Sequence, residues 1–212
     1  FANTFRSTID KYPKPEYGVN AWSGHLKSFG LGDFLGYDLP PGRKGLVPTT
    51  NYYKRYYPNG GWRSSTIISN SIGQGEVLMT PIQLANMMAT VANEGYYYTP
   101  HVIKKIKGQQ IDEKFTTKHY TSIDKQYFKP VIDGLYDVYN LGTARSLRIE
   151  GIEICGKTGT AEIFTKINGV KKQLTDHSIF VAFAPRNDPK IAIAVFVENG
   201  YWGARWAGPI AS

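Results

Sequence analysis

The stretch Gly156-Lys157-Thr158-Gly159-Thr160-Ala161-Glu162 decides how the rest of the chain is read. It follows Ile152-Glu153-Ile154-Cys155, whose alternation of branched apolar and other residues predicts a strand with one face on a core. The motif then lies on a strand edge, where a lysine, two hydroxyls and two glycines can meet an extended peptide carboxylate. Lys157 supplies a fixed positive charge and Thr158 and Thr160 supply donors. Gly159 leaves no side chain between the two threonines, so a second backbone can approach closely. The Thr160 N–H is placed to point at a developing oxyanion, and one such donor is worth on the order of 3 kcal/mol in an acyl-transfer site. A lone Lys-Thr-Gly recurs by chance, however, and most strand glycines mark a bulge or tight packing.

The 212 residues are 42% hydrophobic and 14% aromatic, enough for a buried core. Against 17 Asp and Glu stand 25 Lys and Arg, a net charge of +8 that favours anionic partners. The tight basic pairs Arg43-Lys44, Lys54-Arg55, Lys104-Lys105 and Lys171-Lys172 form no stripe, so they read as solvated surface, and no nucleic-acid partner is expected. The single cysteine, Cys155, excludes an internal disulfide and a cysteine-based zinc cluster, and its apolar neighbours make it a packing thiol. No cofactor or metal is expected. No run of about 18 apolar residues occurs that would span a membrane. An opening at Phe1 and a close at Ala207-Gly208-Pro209-Ile210-Ala211-Ser212, which reads as the first turn of a helix, lead to the expectation that these residues are a piece of a longer polypeptide.

Residues 1–9 read as a helix ended by the prolines of Lys11-Tyr12-Pro13-Lys14-Pro15. A second helix, about 18–29, carries Val19, Trp22, Leu26 and Phe29 at helical spacing and stops at Gly30. From Leu31 to Trp62, glycines, Pro40, Pro41, Pro48 and Pro58, and Tyr52, Tyr53, Tyr56 and Tyr57 predict a long irregular segment that covers the sheet. Thr80-Pro81 starts a helix to about Asn93 that is apolar almost all round, hence buried and central. Gly95 stops it, and Tyr96-Tyr97-Tyr98 continues as a strand or extended connector. Residues 104–129 form a polar excursion, followed by a helix, about 130–140, with Val131, Leu135 and Val138 along one face, and one further turn from Thr143 to Leu147. Asn168-Gly169 predicts a hairpin. Ile179–Ala184 and Ile191–Val197 read as strands buried on both faces. Strands joined by short connections make an antiparallel sheet flanked by helices, an α/β sandwich.

Four ordered segments resemble one family. Gly73-Gln74-Gly75, Thr80-Pro81-Ile82-Gln83-Leu84-Ala85, Ala92-Asn93-Glu94-Gly95 and Gly156-Lys157-Thr158-Gly159-Thr160-Ala161 are similar to the C-terminal part of the transpeptidase domain of class B penicillin-binding proteins, especially the elongation type. The resemblance covers most of the chain from Trp22 to Ser212. It implies the penicillin-binding, serine β-lactamase-like fold and a serine D,D-transpeptidase that cross-links peptidoglycan stem peptides and is acylated by β-lactams. It further implies that Lys157 helps organise the proton network and the substrate carboxylate, that Thr158 and Thr160 bind that carboxylate, and that the Thr160 amide forms half of an oxyanion hole. Implied partners are stem peptides, β-lactams, a membrane glycan polymerase and an elongation scaffold. The implied location is the periplasmic face of the inner membrane, with an anchor upstream of these residues.

The family's nucleophile motif, SxxK, matches only Ser122-Ile123-Asp124-Lys125, and Tyr57-Pro58-Asn59 mimics its SxN element. Both stand at the wrong place in the order, so 1–212 is expected to be the C-terminal portion of one domain whose SxxK and SxN lie upstream. Such a piece is expected to be inactive and poorly stable alone. The segment Ile163–Thr175 and the pair Tyr201-Trp202 adjoin the motif-bearing sheet in sequence, with Trp202 expected as an apolar cleft wall or, equally, packed on the sheet edge. Two alternatives stay open: a β-lactamase or β-lactam sensor domain, and a non-catalytic peptidoglycan-binding module.

Overall fold

The computed structural model describes residues 1–40 and 42–212. Pro41, one of the prolines of the expected irregular segment, lies outside the described residues. The chain forms two compact units, one of residues 1–80 and 98–122 and the other of residues 81–97 and 123–212. It passes between them at residues 80–81, within the short strand β1 (Tyr96–Tyr98), and at residues 122–123.

The first unit contains helices α1 (Ala2–Asp10), α2 (Pro15–Ser28) and α3 (Thr50–Tyr56), and the strand β2 (Lys118–Tyr120). α2 starts at Pro15, earlier than the expected residue 18, because proline's fixed φ suits the first helical position and its missing N–H costs nothing there. α1 and α2 meet where Gly18 faces Ile9: a Cβ on Gly18 would come within 2.6 Å of Ile9 O and 2.8 Å of Ile9 Cα. Phe5, Ile9, Val19, Tyr53, Trp62 and Ile67 make the core, with Trp22 edge-on to Phe5 at 5.3 Å. The expectation of an irregular segment from Leu31 to Trp62 is corrected in part here. Within residues 31–62, Thr49 accepts from the Tyr52 N–H and starts α3, and Tyr53 and Trp62 are core residues of this helical unit.

The second unit holds α4 (Pro81–Ala92), α5 (Phe128–Asn140), the strands β3 (Cys155–Ala161), β4 (Phe164–Ile167), β5 (Val170–Gln173), β6 (His177–Ala184) and β7 (Ile191–Val197), and α6 (Ala207–Ala211). β3, β6 and β7 form an antiparallel sheet in the order β3-β6-β7, and β4-β5 is a separate hairpin. Asn168 and Gly169 both take positive φ at its turn, the expected hairpin signal. α4 packs on β6 and β7, and α5 packs on β3. Phe180 and Ala182 join Tyr139, Ala144, Leu147, Ile154 and Ala207 in the core.

Three expectations change. α4 buries Gln83, Asn86 and Thr90 along with Met88 and Val91, whereas Ile82 is exposed; the Thr90 hydroxyl donates to Asn86 O at 2.7 Å, which makes its burial tolerable. α5 starts at Phe128, and the buried stripe runs from Phe128 to Tyr139 at helical spacing, so Val131 falls beside it and is exposed. β7 closes the sheet with one neighbour, so Ile191 and Phe196 are exposed, while β6, paired on both sides, is buried at Phe180, Val181, Ala182 and Phe183.

Candidate active site

β3 carries the lysine motif at the edge of its sheet. Its register on β6 sets Lys157 opposite Val181, Thr158 opposite Phe180, Gly159 opposite Ile179 and Thr160 opposite Ser178. Cys155, at the start of the strand, is fully buried and holds it to α5 through an Sγ contact with Ile132 O at 3.7 Å. Burial pushes this thiol up to about 11, so it stays protonated and inert, as expected of a packing cysteine. Past Gly156 the strand emerges: Lys157 and Thr160 are exposed and Thr158 and Gly159 half-buried. The strand thus has a buried root and an accessible motif.

Each motif residue has a definite setting. Gly156 is required by packing, because a Cβ there would come 2.8 Å from Phe180 Cζ. Lys157 Nζ donates to the Thr158 carbonyl at 2.5 Å, which folds the ammonium back along its own strand. The Thr158 hydroxyl shares a 2.9 Å hydrogen bond with that of Thr143. Thr143 stands on the turn after α5, between Gly142, which fits tightly against the Val138 backbone, and Ala144, which is fully buried in the core. Sequence reading gave that turn no role; its Gly142-Thr143 pair, just ahead of the motif strand, was the available signal.

Gly159 was expected to admit another backbone. Part of that approach is made by the chain itself: a Cβ on Gly203 would lie 2.6 Å from Gly159 O and 2.9 Å from Gly159 N, and would also collide with Ile179 O. Gly203 belongs to the connection between β7 and α6, which also carries Tyr201 and Trp202. Both aromatic side chains are exposed, Trp202 at 72%, so the ring of Trp202 is not packed on the sheet edge. The Ile163–Thr175 segment is the β4-β5 hairpin with its flanks, where Lys171 Nζ lies 3.8 Å over the Phe164 ring.

The two rejected motif matches have ordinary structural roles. Ser122 Oγ lies 2.7 Å from His25 Nδ1 and 3.1 Å from Ser28 Oγ, and the Ser122 N–H donates to Ser28 Oγ. Lys125 pairs with Glu94 at 2.7 Å, and the hydrogen bond and charge of that carboxylate raise the lysine above its ordinary value, the opposite of what a proton-accepting lysine needs. Tyr57 and Asn59 lie exposed just after α3.

An antiparallel sheet with helices packed on it and a Lys-Thr-Gly-Thr edge strand defines the penicillin-binding fold. The chain belongs to the transpeptidase family of penicillin-binding proteins: the family described as "Penicillin binding protein transpeptidase domain" matches residues 2–212. It is 34% identical over 212 residues to the peptidoglycan D,D-transpeptidase MrdA of Acinetobacter baumannii, an alignment covering 92% of this chain and 31% of that relative. Among solved structures it is similar to Pseudomonas aeruginosa penicillin-binding protein 2 in complex with WCK 5153, with a TM-score of 0.79 and 32% identity over 99% of this chain and 45% of that one. It is also similar to Helicobacter pylori penicillin-binding protein 2 in its complex with MreC, with a TM-score of 0.75 and 28% identity over 99% of this chain and 36% of that one. The chain therefore spans about a third of the length of the curated relative.

Proposed function

We propose that these residues are the C-terminal portion of the transpeptidase domain of a peptidoglycan D,D-transpeptidase, and that they supply the substrate-binding strand of a serine acyl-transfer site. The observation that carries this reading is the edge strand β3, with an accessible Lys-Thr-Gly-Thr motif on a buried root and with Thr158 held by Thr143. In this reading Lys157 orders the proton network and, with the hydroxyls of Thr158 and Thr160, binds the terminal carboxylate of a stem peptide. Gly159 allows the peptide backbone close, and the Thr160 N–H donates to the oxyanion. Trp202 forms an apolar wall of the cleft.

The nucleophilic serine and its lysine base lie outside residues 1–212 in this proposal, because the SxxK match at Ser122 has its lysine paired with Glu94. With a β-lactam, the serine oxygen bonds to the lactam carbonyl carbon, the ring C–N bond breaks, and the proton passes to the departing nitrogen. The H. pylori relative's complex with MreC supports an elongation scaffold as partner, similarity to a solved peptidoglycan synthase complex described as coordinating polymerization and crosslinking supports a glycan polymerase, and the cell-wall role of the MrdA relatives supports a site outside the cytoplasmic membrane. No helix among the described residues is long and apolar enough to cross a membrane.

The test is intact mass before and after incubation with a penicillin, on the full-length protein and on residues 1–212. One adduct on the full-length protein and none on 1–212 is the expected result. An adduct on Ser122 would overturn the assignment. Lys157→Ala in the full-length protein is expected to slow acylation by roughly two orders of magnitude, the lower range for a group that manages proton transfer.

A further inference from the structure

Asp176 and the first two residues of β6 hydrogen-bond the connection between β7 and α6 at several points along it. The Asn199 N–H donates to His177 Nδ1 at 3.1 Å, and the Tyr201 N–H donates to Asp176 O at 3.0 Å. Ser178 makes the central pair: its hydroxyl donates to Trp202 O at 2.9 Å and accepts from the Ala207 N–H at 3.1 Å. Ser178 is fully buried, so both its donor and its acceptor capacity are spent inside the protein. Asn199 and Tyr201 take positive φ, which asparagine adopts readily but which is uncommon for a bulky residue such as Tyr201. Between the two ends of the Ser178 bridge, Gly203 sits against the backbone of Gly159. On the other side of the same residue, β6 sets Ser178 directly opposite Thr160.

We infer that Ser178 is a positioning residue of the transpeptidase site: it fixes Trp202 beside the Gly159-Thr160 backbone and thereby sets which acyl side chains the cleft accepts. This rests on the function proposed above. The reason is geometric. Trp202 is largely exposed, so its place comes mainly from its main chain, and its carbonyl accepts from the Arg205 N–H of its own turn and from the buried Ser178 hydroxyl, the one of the two that ties it to the sheet beside Thr160. Replacing the hydroxyl by hydrogen leaves the buried Ala207 N–H without that partner and the Trp202 carbonyl with only the Arg205 N–H of its own turn, so the tie between the loop and β6 is lost and the loop shifts. Such a shift changes the wall more than it changes β3, which is separately held along β6.

The experiment compares acylation of the full-length protein by benzylpenicillin, which has an aromatic acyl side chain, and by 6-aminopenicillanic acid, which has none. Ser178→Ala is expected to lower the second-order acylation constant for benzylpenicillin by roughly five- to tenfold, the scale on which a lost hydrogen bond is felt, with a clearly smaller loss for 6-aminopenicillanic acid. Trp202→Ala gives the same selective loss, and the double variant loses no more than either single one. Gly200→Ala retains the hydroxyl but brings a Cβ within 2.8 Å of Ser178 Cβ, so it displaces the loop sterically and reproduces the selectivity change. Equal losses on both penicillins, or additive effects of Ser178→Ala and Trp202→Ala, would overturn the inference while leaving the proposed function in place. A wild-type protein acylated by neither compound would remove the proposed function and this inference with it.

Discussion

At Gly156 the space a side chain would occupy is filled by Phe180, whose ring is almost fully buried and has nowhere to retreat. Gly156→Ala is therefore expected to destabilise the protein by about 1–3 kcal/mol, the usual cost of overpacking, seen as a lowered thermal midpoint. An unchanged midpoint would mean that the Phe180 ring can move after all. Two residues on, the Thr158 hydroxyl is oriented by that of Thr143. If Thr143 donates, the Thr158 proton is left for a substrate carboxylate. Thr143→Val should then lower β-lactam acylation by roughly fivefold, about the worth of one hydrogen bond, and Thr143→Ser should restore most of it. A valine variant acylated at the wild-type rate would show that the Thr158 rotamer needs no such partner.

Between elements, the turn joining β6 to β7 is clipped to α5. Arg186 pairs with Asp133 at 2.5 Å and lies 4.2 Å over the Tyr136 ring, while Lys129 bonds the second oxygen of Asp133 at 3.2 Å. The hydrogen bonds from Lys129 and Arg186 hold the Asp133 carboxyl below the ordinary carboxylate range. A carboxylate depressed in the folded state contributes stability above its unfolded value, near pH 4, and that contribution disappears as pH falls through the lower folded value. Thermal midpoints of Asp133→Asn and wild type should therefore converge as the pH drops from about 5 towards 2, since protonation removes the same interaction. Midpoints that stay equally far apart at every pH would rule this out. The α1–α2 crossing is stricter still: Gly18→Val places carbon against the Ile9 backbone, and loss of folding or a destabilisation of roughly 3 kcal/mol is expected in a denaturant titration.

Along the whole chain, the +8 charge is scattered rather than gathered into one basic run. Retention of the protein on an anionic matrix should accordingly fall off smoothly with salt and show no preference among nucleic-acid sequences. Sequence-selective binding that survives 0.5 M salt, about a 4–5 Å screening length, would contradict this reading.

The strand that carries the motif, the Asn168-Gly169 hairpin, the Thr80-Pro81 helix start and the buried cysteine were all legible in the sequence. Each follows from local chemistry: a period-two pattern, a turn that needs two positive φ angles, a cap followed by proline, an apolar neighbourhood. The four ordered motifs also determined the family. What the sequence could not decide depends on residues far apart in the chain meeting in space. The tyrosine-rich segment around Tyr53 became the core of a helical unit because Phe5, Ile9 and Val19 offered it an apolar face. α4 turned Gln83, Asn86 and Thr90 inward, against its pattern. Thr143, Ser178 and Gly203 bear on the motif strand from 15, 18 and 44 residues away in the chain, counted from Thr158, Thr160 and Gly159 respectively. Hydrogen bonds and backbone contacts of that kind leave no periodicity, so only the tertiary structure brings them to the site.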